Sequence, residues 1–140
     1  GHCAYDCNRC GHVCPTGAIA PLALAKKQAT AIGKAFVDPE RCLAYAQGKT
    51  CTRCEELCPV AKKAIQLEEV TARRTDGSTY TYKRPWIKPG RCIGCGICEH
   101  HCPVEGPAGI RVLSLAAWNE RGSPWPSSKL RQQPVKAIPM

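Results

Sequence analysis

Large core-forming side chains are scarce in this chain, with one Phe, one Met and three Trp among 140 residues. The 12 Gly and 12 Pro also interrupt any long element. Such a chain cannot bury a large aliphatic core, and small domains in that position fold around metal centres or disulfides. No stretch approaches the roughly 18 apolar residues that span a bilayer. The longest runs around Ala18 to Ala25 and is broken by Pro21, so no membrane span is expected. There is no basic segment followed by an apolar one at the start. Gly1 leads straight into cysteines, and the natural chain is expected to be longer there, or processed. Phosphate-binding glycine loops, nucleotide fingerprints and nucleophile–base spacings are missing. No catalytic residues, and no enzyme activity of the chain's own, are therefore expected. Gly11, Glu55, Gly96 and Glu99 follow the C-x-x-C pairs, which excludes the C-x-x-C-H attachment of covalent haem.

What is abundant is cysteine, 12 in all, in three tight groups. They are Cys3, Cys7, Cys10 and Cys14; Cys42, Cys51, Cys54 and Cys58; and Cys92, Cys95, Cys98 and Cys102, each group ending in Cys-Pro. The third reads C-x2-C-x2-C-x3-C-P, the run that ligates 4Fe-4S clusters, in which the last cysteine reaches over to the other cluster. The first two keep C-x2-C-x3-C-P and move only the leading cysteine. A disulfide framework would leave cysteines this closely spaced badly placed for pairing. Structural zinc wants two cysteine pairs across a longer loop, or a cysteine–histidine mixture. All twelve cysteines are therefore candidate ligands of three 4Fe-4S clusters.

The formal charge of +9 suggests nucleic acid only while the thiols are counted as neutral. Twelve thiolates and three oxidised cores bring the total to about +3, by cluster ligation chemistry. The basic residues offset the cofactors, and nucleic acid is not an expected partner. A basic surface suits an acidic redox protein.

An internal repeat gives the expected fold. Ala35-Phe36-Val37-Asp38-Pro39-Glu40-Arg41-Cys42 aligns with Pro85-Trp86-Ile87-Lys88-Pro89-Gly90-Arg91-Cys92, and Cys58-Pro59-Val60 with Cys102-Pro103-Val104. Apolar pairs follow, Ile65/Leu67 and Ile110/Val112. Each copy reads as a βαβ-like unit: a strand, a cluster loop, a short helix starting near Cys-Pro and a returning strand. Between the copies, Thr/Tyr alternation around Asp76-Gly77 predicts a hairpin, its tyrosines serving packing or docking. The fold class is α+β, a duplicated βαβ dicluster domain with an additional N-terminal 4Fe-4S motif and an extended C-terminal tail. Residues 1–34 form the N-terminal iron–sulfur motif, a short helix from Pro21 and a linker; 35–115 the dicluster domain; 116–140 a tail whose composition does not fold alone and wraps a partner.

Gly94 and Gly96 are expected to turn the third loop tightly and aim backbone N–H groups at cluster sulfurs. Ile93, Ile97, Val60 and Val104 should form a dry shell. Glu55 and Glu56 read as solvated charges. His2, His12, His100 and His101 have no partner at a recognisable spacing and read as exposed.

Groups two and three resemble a bacterial two-cluster ferredoxin, and Cys3 to Val112, about four-fifths of the chain, resembles the polyferredoxins of the NapG/MauM type. The carrying segments are Cys3-Ala4-Tyr5-Asp6-Cys7-Asn8-Arg9-Cys10-Gly11-His12-Val13-Cys14-Pro15, Cys42 through Cys51-Thr52-Arg53-Cys54-Glu55-Glu56-Leu57-Cys58-Pro59, and Cys92-Ile93-Gly94-Cys95-Gly96-Ile97-Cys98. The resemblance implies an electron-transfer subunit whose partners are redox proteins of a larger complex, one that can be membrane-associated. It also implies crossed ligation. Cys42, Cys51, Cys54 and Cys102 would hold one cluster, and Cys92, Cys95, Cys98 and Cys58 the other. Cys3, Cys7 and Cys10 would hold a third, closed by Cys14 or by a cysteine from outside this segment; family members usually carry a further four-cysteine motif upstream. Two other readings stand beside this one: an iron–sulfur portion of a larger oxidoreductase with its active site elsewhere, and, more remotely, a zinc-binding interaction module.

Overall fold

The strand ahead of the second cysteine group pairs with the strand that leaves the third. In the computed structural model, which describes residues 1–132, β1 (Gly33–Val37) and β4 (Ile110–Ser114) run antiparallel from Gly33↔Ser114 to Val37↔Ile110. The strand leaving the second group, β2 (Ile65–Arg73), pairs antiparallel with the strand entering the third, β3 (Thr79–Ile87). Each two-stranded sheet thus takes one strand from each copy.

Each copy keeps the expected order of strand, cluster loop, short helix and strand, but its strands pair with those of the other copy, so the two copies interlock. A parallel βαβ pair needs a crossover helix long enough to cover its face. The helices available, α1 (Arg53–Glu56) and α2 (Ile97–His100), are one turn each. They also end before Cys-Pro rather than starting there, because proline disfavours helical backbone in the residue before it.

The hairpin lies where its alternation puts it. Gly77 takes φ +88°, and the Asp76 carboxylate accepts from Ser78 N at 2.8 Å and Ser78 Oγ at 2.6 Å. Its tyrosines pack inward: Tyr82 is buried and stacks on Tyr80 at 5.7 Å between ring centroids. Buried Arg84 pairs with Glu68 at 2.7 Å and lies over the Tyr45 ring, whose hydroxyl donates to Pro85 O at 2.8 Å.

Two boundaries shift. The N-terminal helix occupies Leu24–Ala29, and β1 already begins at Gly33, inside the stretch read as linker. The segment after Leu115 is not uniformly extended. It forms helices at Leu115–Arg121, capped by Ser114 Oγ accepting from Ala117 N at 3.3 Å, and at Ser127–Arg131. Leu130, 1% exposed, seats the second in the core beside Trp125 and the Tyr80–Tyr82 pair. Burying one such leucine stabilises by about 1.5–3 kcal/mol, which explains how a polar stretch docks on its own chain. The rest of the expected tail, 133–140, lies outside the described residues.

Candidate metal centres

Each interlocked half forms a thiol-lined cavity. In the first, Cys92 and Cys95 from the loop before α2 and Cys98 from α2 itself meet Cys58, which ends the other copy's loop. In the second, Cys42, Cys51 and Cys54 meet Cys102. The remaining lining is mostly apolar, Ala35, Val60, Ile65, Ile93 and Val112 around the first and Leu43, Pro85, Val104 and Ile110 around the second, where Arg53 is the one charged residue. Three of the four side chains expected to form a dry shell are there; Ile97 is part of neither lining.

The glycines that close the loops have identifiable neighbours. Gly94 takes φ +76°, and a Cβ there would stand 2.4 Å from Gly33 N. The third loop can therefore lie directly on β1, where Ile32 N donates to Ile93 O at 2.9 Å. Gly109 would place a Cβ 2.7 Å from Cys42 Cα. Gly94→Ala combines left-handed strain with a clash against backbone, so a loss of about 2–4 kcal/mol is expected. Thermal unfolding of the metal-loaded protein measures it; an unchanged midpoint would show that the loop does not seat on β1 as described.

Backbone donors reach the sulfurs from more places than the glycine loop. Ala35 N donates to Cys92 Sγ and Gly109 N to Cys102 Sγ, each at 3.3 Å. These donors on the strand side carried no sequence signal, because which amide faces a sulfur depends on how the copies interlock. Glu99 likewise carries no sequence signal for its role: its carboxylate accepts from Val112 N at 2.9 Å and ties α2 to β4. Glu55 pairs with Lys63 at 3.0 Å and Glu56 accepts from Thr52 Oγ1 at 2.5 Å, so both are engaged at the surface.

The charge balance of the cavities asks for a cation. Burial pushes the Cys42 thiol up to about 11 and Cys98 up to about 12, and raises Cys54 and Cys95 as well. Neighbouring thiolates add to it, Cys51 and Cys102 on Cys42, Cys92, Cys95 and Cys58 on Cys98. The backbone N–H groups of Ile97 at Cys95 and Glu99 at Cys98 oppose the rise. Four thiolates cannot share a dry cavity unless positive charge compensates them. A soft, thiolate-binding metal group fits this donor set.

Group one is built differently. Cys7 and Cys10 are exposed, Cys3 and Cys14 partly so. The helix Arg9–Val13 carries Cys10, and Gly11 lets it lie against Ala20 and Pro21, where a Cβ would meet Ala20 O at 2.6 Å. Lys27 Nζ holds the preceding loop through Ala4 O and Tyr5 O, and Gln28 Nε2 adds a bond to Tyr5 O at 3.3 Å. No strand forms between Cys14 and β1, and Val13 and Ile19 are exposed at 71% and 49%. Cys14 is drawn down to about 7 by Thr16, whose hydroxyl stands 3.5 Å away, and by the backbone near Ile19. The loop docks beside the first cavity: Cys3 N donates to Cys95 O at 2.7 Å.

Comparison with known proteins gives the same reading from another direction. The family model described as a 4Fe-4S dicluster domain matches twice, over residues 2–62 and 49–105, so that group two is shared between a pairing with group one and a pairing with group three. The methylamine utilization ferredoxin-type protein MauM of Methylophilus methylotrophus is 38% identical over 104 residues, covering 74% of this chain and 43% of that protein. The ferredoxin-type protein NapG of Escherichia coli K12 is 36% identical over 107 residues, covering 76% of this chain and 45% of NapG. The chain thus spans less than half the length of these curated relatives.

Proposed function

This chain belongs to the 4Fe-4S dicluster ferredoxins of the NapG/MauM type, and on that premise we propose that it relays single electrons through iron–sulfur clusters within a larger redox assembly. The carrying observation is that each cavity draws three thiols from one copy and the fourth from the other. In this reading Cys58, Cys92, Cys95 and Cys98 hold one cluster and Cys42, Cys51, Cys54 and Cys102 a second. Such clusters supply reversible one-electron exchange. The protein's part is to hold the thiolates, exclude water and set the potential with N–H donors such as those of Ala35 and Gly109.

A third cluster on Cys3, Cys7 and Cys10 is supported by the family match that begins at residue 2. Cys14, whose sulfur contacts Thr16 Oγ1 at 3.5 Å, is assigned to a centre outside this protein, with local closure of the Cys3, Cys7 and Cys10 set as the alternative. The bond from Cys3 N to Cys95 O supports an order in which group one exchanges with the Cys92 cavity, and that cavity with the Cys42 cavity. The division into an N-terminal cluster segment, a dicluster body opening at β1 and a C-terminal segment belongs to the same proposal. The proposed partners are redox proteins. The short span relative to MauM and NapG also favours a portion of a larger iron–sulfur subunit, with any catalytic site elsewhere.

Analysis of the anaerobically isolated protein should give about twelve iron and twelve sulfide per chain, by cluster stoichiometry. About eight would limit the relay to the two cavities, and zinc without sulfide would overturn it. Redox titration followed by electron paramagnetic resonance tests the relay itself: signals absent in the oxidised protein should appear on one-electron reduction and vanish on reoxidation.

A further inference from the structure

Three imidazoles meet beside the first cavity, on the surface. His2 precedes Cys3, which is pinned to Cys95; His100 ends α2 and His101 follows it. Their rings stand 4.8 Å (His2–His100), 5.4 Å (His2–His101) and 4.8 Å (His100–His101) apart between centroids. The ligand-capable nitrogens all lie within 4.8 Å of one another. No side chain among the described residues hydrogen-bonds to these nitrogens, whereas His12 lies 3.4 Å from Asn8 Nδ2. The lone pairs are free.

We propose that His2, His100 and His101 form a binding site for one divalent transition cation of the zinc class, separate from the thiolate cavities, that clamps the first cysteine loop to α2. Neutral imidazole suits zinc, copper or nickel, and the lack of an oxygen cage disfavours calcium and magnesium. Zinc–nitrogen bonds of about 2.0–2.1 Å at tetrahedral angles place ligand nitrogens about 3.4 Å apart. The three rings are exposed and can rotate from 4.8 Å to that separation without disturbing the core. Three imidazoles leave a fourth position for water. The backbone supplies the preorganisation, since Cys3 N to Cys95 O at 2.7 Å and His101 N to Ile97 O at 3.1 Å fix the two segments that bear the rings.

The test uses the cluster-loaded protein carrying Cys14→Ser, which removes the one thiol left outside the clusters in this reading, with zinc ion alone as the probe. One zinc per chain should be retained, with no loss of iron. X-ray absorption at the zinc edge should show nitrogen at about 2.0–2.1 Å with imidazole scattering, and amide exchange around Cys3 should slow. His2→Ala should weaken binding by about tenfold or more, and the double variant His100→Ala/His101→Ala should abolish it, as expected when ligands leave a small site. His12→Ala should change nothing. A sulfur shell at about 2.3 Å, zinc uptake matched by iron loss, no retained zinc, or retention by the double variant would overturn the proposal. The absorption measurement needs no substitution, so it decides the question even if a variant loses its clusters.

Discussion

Cys58→Ala should abolish the same electron paramagnetic resonance signal as Cys98→Ala and leave intact the signal lost in Cys54→Ala. Cys58 is separated from Cys54 by only four positions and from Cys98 by forty, yet the cavity it lines is that of Cys92, Cys95 and Cys98. Cys102→Ala should conversely remove the signal of Cys42, Cys51 and Cys54. Each variant should hold about four fewer iron atoms per chain if its cluster is lost whole. Electron transfer through the parent assembly should fall with it, because a series relay stops at any missing link. If Cys58→Ala and Cys54→Ala silenced one signal between them, the two copies would ligate locally and the interlocked arrangement would be wrong. Unimpaired transfer in both would make the clusters structural.

Removing the metal should abolish cooperative unfolding rather than merely lower its midpoint. Both sheets have only two strands, an arrangement that is marginal without a packed face. Three of the residues at the centre of the core, Cys42, Cys54 and Cys98, are themselves proposed ligands. Burial raises these thiols, so the empty cavities would hold them protonated at neutral pH and offer no ionic attraction in return. Chelated protein should therefore give a sloping thermal melt without a transition, rapid amide exchange in β1 and β4, and proteolysis throughout. A sharp calorimetric transition in iron-free protein would show that the aliphatic residues suffice.

Much of this was legible from residue order because its cause is local. Cysteines three positions apart are within reach of a common metal group, and Asp76-Gly77 between alternating strands turns the chain back on itself. The third loop likewise needs glycine where the backbone turns left-handed, at Gly94 and Gly96. The helices beside Cys-Pro end before that dipeptide rather than starting near it, because proline restricts the backbone of its predecessor, a constraint already present in the sequence.

The cysteine spacing alone determined the class of cofactor and the duplicated plan, since ligand geometry is set by short-range chain reach. Only the tertiary structure decided that each sheet joins strands from different copies, that Leu130 docks the C-terminal segment, that Ala35 and Gly109 supply sulfur-directed donors, and that His2 meets His100 and His101. Those contacts join residues far apart along the chain. They form because one-turn helices cannot cover a parallel pair, leaving antiparallel interlocking as the arrangement that closes both cavities with the apolar residues available.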